Sequence, residues 1–235
     1  MTTPKQSMNR LLAHLAPEDF GLIQPHLEDW SLEQGTMLVK EGDSPDFLYF
    51  PTSGIISAVS VSPEGEKAEA GIFGRESCAP ISIVSRTRSS PFDSMIQVSG
   101  AGVRMPVEKA WDAMAECRAF EVVLIKALQN FSTQVAFTAL SNGVHDVTER
   151  LARWLLMCHD RADGDEIPLT HGFISLMLGT RRSSVTTSLH VLEGNHFIHS
   201  VRGLITIRDR EALEDFAKDA YGKPEQEYRR LFGDD

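Results

Sequence analysis

Apolar positions change their spacing repeatedly along the chain, and each change predicts an element. Between residues 8 and 32, Leu11, Leu12, Leu15, Phe20 and Leu22 recur at helical intervals that Pro17 and Pro25 interrupt. From about Trp30 to Val107 the pattern shortens. Apolar and β-branched runs at 37–39, 47–50, 55–61, 94–98 and 103–107 alternate with turn signals such as Glu41-Gly42-Asp43, Pro51-Thr52-Ser53-Gly54 and Pro63-Glu64-Gly65. Turns at that interval predict an antiparallel sandwich or barrel. After Pro106 the helical period returns. Over residues 119–141, Phe120, Leu124, Ala127, Leu128, Phe131, Val135 and Thr138 form one sustained apolar stripe. Such a stripe packs either on the β-rich block or on a second copy of the helix, and the second option is expected here. Asn142-Gly143 reads as a hinge, and residues 146–159 as a further amphipathic helix carrying Val147, Leu151, Trp154, Leu155 and Cys158.

The most informative stretch is 169–207, which reads as helix, tight turn, helix and β-hairpin. Thr170 can cap the first helix, although Phe173 stands where a capping box needs a carboxylate. Phe173, Ile174, Met177 and Leu178 form its apolar stripe. Gly179 suits a sharp turn, and Thr180 is expected to cap the second helix, which runs to about Gly194. In that helix Val185, Leu189 and Leu192 face inward. Arg182, Ser183, Thr186, Thr187 and His190 fall on the opposite side, with Arg181 and Ser184 beside them. Arginine can bind guanine O6 and N7 in a bidentate fashion, and hydroxyls can reach bases or phosphates. Thr170 and the helix N-terminus can hold phosphate oxygens. An ordinary solvated face would carry Glu and Lys, whereas this one has no acid before Glu193. Residues 196–199 and 204–207 read as two strands around Arg202-Gly203. That hairpin is a wing, with Arg202 as its phosphate contact.

Composition changes this picture in one respect. The 235-residue chain has a formal net charge of −10, unusual for a nucleic-acid binder. The segment 179–202 is nevertheless locally basic, with Arg181, Arg182 and Arg202 against Glu193 alone, and screening makes the local balance the relevant one. Three scattered cysteines (Cys78, Cys117, Cys158) predict a reducing compartment without a disulfide framework. Apolar runs are too short for a membrane span, and MTTPKQSMNRLLAHL lacks a secretory h-region, so a cytoplasmic protein without membrane partners is expected. No phosphate loop, nucleophile elbow or zincin motif is present, and no enzyme is expected. No catalytic residue and no metal site is assigned. Cys158-His159 lacks metal-ligand spacing, and His196 and His199 are poorly spaced on a strand.

The order of β-rich block, long helix, hinge and winged helix resembles the Crp/Fnr transcription regulators. So do the strings LTHGFISLMLGTRRSSVTTSLHVLEGNHFI (169–198) and DVTERLARWLL (146–156). GTMLVKEGDSPDFLYFPTSGIIS (35–57) is similar to that family's cyclic-nucleotide-binding β-roll. The likeness extends to about Phe216. It implies an α+β fold with an N-terminal antiparallel, jelly-roll-like β-roll, a long dimerisation helix and a C-terminal winged helix-turn-helix. The implied domains are a sensor over 1–118, a dimerisation helix over 119–142 and a DNA-binding domain over 143–235. The implied partners are double-stranded DNA, a second copy of the chain and, for an activator, RNA polymerase. A dimer would read a palindrome whose half-sites lie about one helical turn apart. The family's recognition helix carries Arg-Glu-Thr-Val and then a second Arg. This chain has Arg182-Ser183-Ser184-Val185, with Thr187 in place of that second Arg, so a different operator is expected.

The family's nucleotide pocket needs a Gly-Glu pair and an Arg-Ser pair. The nearest residues are Gly74 and Glu76, with Arg75 inserted, and then Arg86, Arg88 and Ser89. These form the candidate effector pocket, against the competing reading of a solvated surface. Val135-Ala136 stand where hydroxyls should meet the purine, so cAMP is not expected. No cysteine precedes Cys78, so an iron–sulfur cluster is not expected, and no cofactor is assigned. A redox role for Cys78 would require a depressed pKa. The same motifs also fit a non-DNA-binding, cyclic-nucleotide-binding regulatory or interaction module. The hydroxyl-and-arginine face at 182–190 favours DNA over that alternative, because a protein interface would carry more apolar or aromatic residues there.

Overall fold

The computed structural model describes residues 9–233. Residue 8, where the first helical segment was expected to begin, lies outside them, as does the start of the segment inspected for a leader. The chain opens with α1 (Arg10–Ala13), α2 (Pro17–Ile23) and a 3-10 turn (Gln24–His26). Asn9 fixes this opening: its Oδ1 accepts from Leu12 N at 3.2 Å, and its Nδ2 donates to the carbonyls of Pro51 and Ser77 at 2.7 and 2.9 Å. The helical texture ends earlier than expected. Residues 28–32 form a strand, β1 (Glu28–Leu32), pairing with the strand at 100–106. Five residues are too few for periodicity to tell strand from helix.

The remaining N-terminal strands are β2 (Met37–Val39), β3 (Phe47–Pro51), β4 (Ile55–Val61), β5 (Lys67–Phe73), β6 (Asp93–Val98) and β7 (Gly100–Pro106). They form two antiparallel sheets, ordered β1-β7-β3 and β2-β6-β4-β5. This is the expected roll. Its core contains Leu48, Phe50, Ile56, Phe73, Ile96 and Met105.

After α3 (Val107–Glu116) comes the long helix α4 (Arg118–Val144). Its apolar stripe is covered by the chain's own β-roll, not by a second copy. Phe120, Leu124, Ala127 and Phe131 are buried in the roll's core, and Leu128 and Val135 pack half-buried against it. Phe131 stacks on Phe73 with centroids 4.5 Å apart. Gln134 adds a polar clasp to β5, the edge of its sheet. Its Oε1 accepts from Ile72 N at 2.6 Å, and its Nε2 donates to Ile72 O at 3.2 Å, satisfying edge backbone groups. Gly71 makes room, since a Cβ there would come within 2.5 Å of that Oε1.

The expected hinge is also displaced. α4 runs through Asn142 and Gly143, both exposed, and breaks at His145. Asp146 then caps α5 (Val147–His159) with a full capping box, in which Glu149 returns a bond to the Asp146 backbone N–H.

The C-terminal part comprises β8 (Glu166–Ile167), α6 (His171–Met177), α7 (Arg182–Gly194), β9 (Ile198–Val201), β10 (Leu204–Ile207), α8 (Arg210–Ala217) and α9 (Lys223–Phe232). It folds onto the outer face of the β2-β6-β4-β5 sheet. Ile55, Val59, Ile72 and Val98 share one core with Leu151, Trp154, Leu155, Ile174 and Met177. α9 returns to α4, where Lys126 Nζ donates to Leu231 O at 2.7 Å.

A buried polar group marks this junction. Glu69 on β5 accepts from Ser57 Oγ at 2.8 Å and from Trp154 Nε1 at 2.6 Å. Burial raises its pKa to about 7, against the pull of those two bonds and of Arg153 and Arg161. Arg161, itself buried, pairs with Glu76 at 2.8 Å. Burial opposes the Arg161 charge, but Glu76 and Asp160 outweigh it and hold its pKa above the usual range.

Candidate nucleic-acid interface

The two helices of the motif form as their residue pattern requires. Thr170 accepts from Phe173 N at 3.2 Å and caps α6. Gly179 takes φ +56° at the turn, a left-handed backbone that suits glycine. Thr180 does not cap α7. Arg181 occupies that position without a side-chain cap bond, and the Thr180 carbonyl accepts from Ser175 Oγ to close the turn. The Arg150 guanidinium donates to Leu178 O from α5. Val185, Leu189 and Leu192 are buried as expected. α7 includes Gly194 and closes at Asn195, with His196 at φ +61° and Phe197 N bonded back to Leu192 O at 3.1 Å. That left-handed exit moves the first wing strand to Ile198, two residues beyond the expected start.

The outward side of α7 presents Arg181, Arg182, Ser183, Thr187 and His190 exposed, with Ser184 and Thr186 half-buried. The Thr186 and Thr187 hydroxyls each donate at 3.1 Å to the carbonyl four residues earlier, leaving the methyls for apolar contact. The Arg182 guanidinium lies across the start of α6, where a Cβ on Gly172 would come within 3.0 Å of Nη2. His171 joins this surface: its Nδ1 lies 3.3 Å from Thr186 Oγ1. Sequence spacing did not single it out, because it sits on the other helix.

Glu193 is turned to structural use. Its carboxylate accepts from Ser200 N and pairs with His199 Nδ1, both at 3.1 Å, tying the wing to the end of α7. The Ser200 backbone bond, aided by His199, lowers its pKa. At the wing tip, exposed Arg202 has φ +21° and Gly203 φ +81°. Thr170 is exposed at the other end of the surface. The arrangement is a convex helix flanked by a hairpin, with basic and hydroxyl groups outward, which suits a DNA major groove.

Residues 149–216 match the family model of the Crp-like helix-turn-helix domain. Solved structures similar to most of the chain include a Crp/Fnr-family transcriptional regulator from Eubacterium rectale. It is 21% identical, covers 88% of this chain and 97% of that one, and has a TM-score of 0.64. FixK2 from Bradyrhizobium japonicum is 16% identical over 82% of this chain and 98% of its own, with a TM-score of 0.66. A Crp-family regulator from Thermus thermophilus is 16% identical over 80% and 96%, with a TM-score of 0.64. The chain has the Crp/Fnr fold and carries a Crp-like helix-turn-helix domain. A search of curated proteins finds no match.

Within this Crp/Fnr fold the five candidate effector residues do not converge. Gly74 and Glu76 face the DNA-binding domain. Glu76 accepts from Arg161 Nε at 2.9 Å, and a Cβ on Gly74 would lie 2.6 Å from Arg161 Cγ. Arg86 is exposed with φ +55°. Arg88 pairs with Glu108 at 3.0 Å and lies over the Trp111 ring. Ser89 Oγ donates to Gly42 O at 3.2 Å. Of the five, Ser89 alone lines the cleft between residues 81–92 and α4. That cleft encloses about 560 Å3, with Ile81, Phe92, Leu128, Phe131 and Val135 among its walls and, among the described residues, no charged side chain. The buried hydroxyl of Ser82 in its lining has no hydrogen-bond partner. Cys78 is buried, and burial pushes its thiol up, opposite to what a redox role needs.

Proposed function

We propose that this protein is a homodimeric, sequence-specific transcription regulator that places α7 in the major groove of a palindromic operator. The observation that carries this is the outward face of α7, where arginine and short hydroxyls stand exposed and the nearby acid is held by the wing. Arg182 reads a base edge, with Ser183, Thr187 and His190 beside it. Arg181, Arg202 and Thr170 meet phosphates.

The dimer seam lies on the side of α4 that the β-roll leaves open. Ile125, Gln129, Ser132, Ala136, Ala139 and Gly143 are all exposed and alternate at four- and three-residue intervals. That is a heptad seam, and its small residues let two helices approach closely. A second copy seated there would border the cleft at Ser132, coupling occupancy of the cleft to the spacing of the two recognition helices. An effector of the β-roll is therefore expected to be uncharged and largely apolar, with no cAMP response, no iron–sulfur cluster and no other cofactor required. An activator of this kind, acting in the cytoplasm, would also contact RNA polymerase. Sedimentation of the protein with a selected operator tests the reading. Two chains per duplex support it, and one chain per duplex, or binding unaltered on scrambled DNA, contradicts it.

A further inference from the structure

The junction between the β-roll and the DNA-binding domain encloses a carboxyl group that pairs with no cation among the described residues. Glu69 on β5 is 7% exposed and sits where Val59 and Ile72 of the β-roll share a core with Leu151, Trp154 and Leu155 of α5. The two nearby arginines are committed elsewhere. Arg161 pairs with Glu76 at 2.8 Å, and Arg153 donates to Thr138 Oγ1 at 3.1 Å.

The hydrogen bonds around Glu69 make its proton countable. Trp154 Nε1 donates to Oε1 at 2.6 Å, and Ser57 Oγ lies 2.8 Å from Oε2 and 2.6 Å from Gln97 Oε1. Gln97 Nε2 is directed at Cys158 Sγ, 3.8 Å away, which leaves Oε1 as the atom beside Ser57. Ser57 has one proton for these two acceptors. Both contacts are hydrogen bonds only when Glu69 carries a proton of its own, donating to Ser57 while Ser57 donates to Gln97. When that proton leaves to water, Ser57 turns to the carboxylate and Gln97 Oε1, on a fully buried side chain, loses its donor. Ionisation thus leaves a buried charge without a cation and a buried acceptor without a partner, and both are costly.

Little else that titrates faces this group. β4 and β6 offer Ser57 and Gln97. Lys67 and Asp93, further along the same sheet, pair with each other at 3.0 Å. α4 presents Gln134 to β5, and the one titratable residue of α6, His171, is turned to Thr186. On α5, burial raises the Cys158 thiol and keeps it neutral. Arg153 and Arg161 favour the ionised carboxyl, and burial outweighs them.

We propose that Glu69 is a proton-operated latch: protonated, it holds α5 on the β-roll, and ionised, it lets the DNA-binding domain part from the sensor. The latch is closed below its pKa of about 7 and opens above it. Docking fixes α7 relative to α4, so the closed form binds operator more tightly. That last step alone rests on the function proposed above.

The test is tryptophan emission of the full chain between pH 5.5 and 8.5, because the Trp154 indole is only 2% exposed when docked. A red shift with a midpoint near 7 is expected in the unaltered chain, and none in Glu69→Gln, which mimics the protonated acid. The unaltered chain should also lose the infrared C=O band of a protonated carboxyl over the same interval, a readout that needs no variant. No red shift, an equal one in Glu69→Gln, or an unchanged C=O band would overturn the latch. Operator affinity should fall between pH 6 and pH 8 by about fivefold more in the unaltered chain than in Glu69→Gln, which keeps the surface histidines. Equal falls would overturn the coupling to DNA. A red shift in a chain that binds no duplex would support the latch and contradict the proposed function instead.

Discussion

Glu69 is a carboxyl group that the packing of two domains removes from water. Its pKa rises from an ordinary 4.5 to about 7, with burial as the cause. The folded chain therefore holds a proton there that the unfolded chain releases at lower pH. The stabilisation from this protonated group is fully present below 4.5, declines as pH rises towards 7, and stays lost above it. Glu69→Gln carries no charge and keeps an amide oxygen for Trp154 Nε1, while its amide N–H can donate to Ser57 Oγ, whose own proton goes to Gln97 Oε1. Its Tm should fall less than that of the unaltered protein as pH rises through this window. Parallel melting curves against pH check this, and identical slopes would contradict it. Arg182 belongs to the same scale. Arg182→Ala should weaken operator binding by about 1–3 kcal/mol and relax selection at one base position, as read by anisotropy titrations against single-base operator variants. Thr170→Ala, removing a helix cap and a phosphate contact, should weaken all sequences alike.

At the scale of elements, the break between α4 and α5 is held by one side chain. Asp146 accepts from Thr148 N at 2.7 Å and from Glu149 N at 2.9 Å. Asp146→Ala should cost about 1 kcal/mol in denaturant unfolding, a typical price for a lost N-cap. This break also shows what the residue pattern can reveal. The Asp-x-x-Glu signature of the true boundary stands in the sequence at 146–149, whereas Asn142-Gly143 drew attention as breakers. Both of those sit on the exposed flank of a helix whose other face is anchored by Phe131 and Gln134, and tertiary packing overrides their weak propensity. The helix-turn-helix was legible because its signals are local: a cap, a glycine turn and a three-four apolar rhythm. The stripe of α4 was legible as a stripe, but periodicity does not say what covers it, and here the chain itself does. The effector residues were misplaced for the same reason. Glu76 was chosen by its neighbours in sequence, while its partner Arg161 lies 85 residues away. β1 and the return of α9 to α4 depend on distant pairing and left no local trace.

At the scale of the whole molecule, the net charge of −10 and the basic recognition face act together. Under the proposed function, the acidic remainder is expected to weaken non-specific attraction to phosphates and to leave discrimination to the contacts of α7 and the wing. In the proposed dimer, the open side of α4 sets the rest of the geometry. Ala136→Arg, placed on the open side of α4, should leave each chain folded and yield a species near the single-chain mass of 26.1 kDa by sedimentation. A dimer unchanged by that substitution would place the interface elsewhere. The central claim is that α7 of two chains reads DNA, and selection of bound sequences from a random duplex pool tests it most directly. The account predicts enrichment of an inverted repeat with half-site centres about 10 base pairs apart, lost or degraded at one position with Arg182→Ala. A pool that shows no enrichment, or the same motif recovered by both proteins, would contradict it.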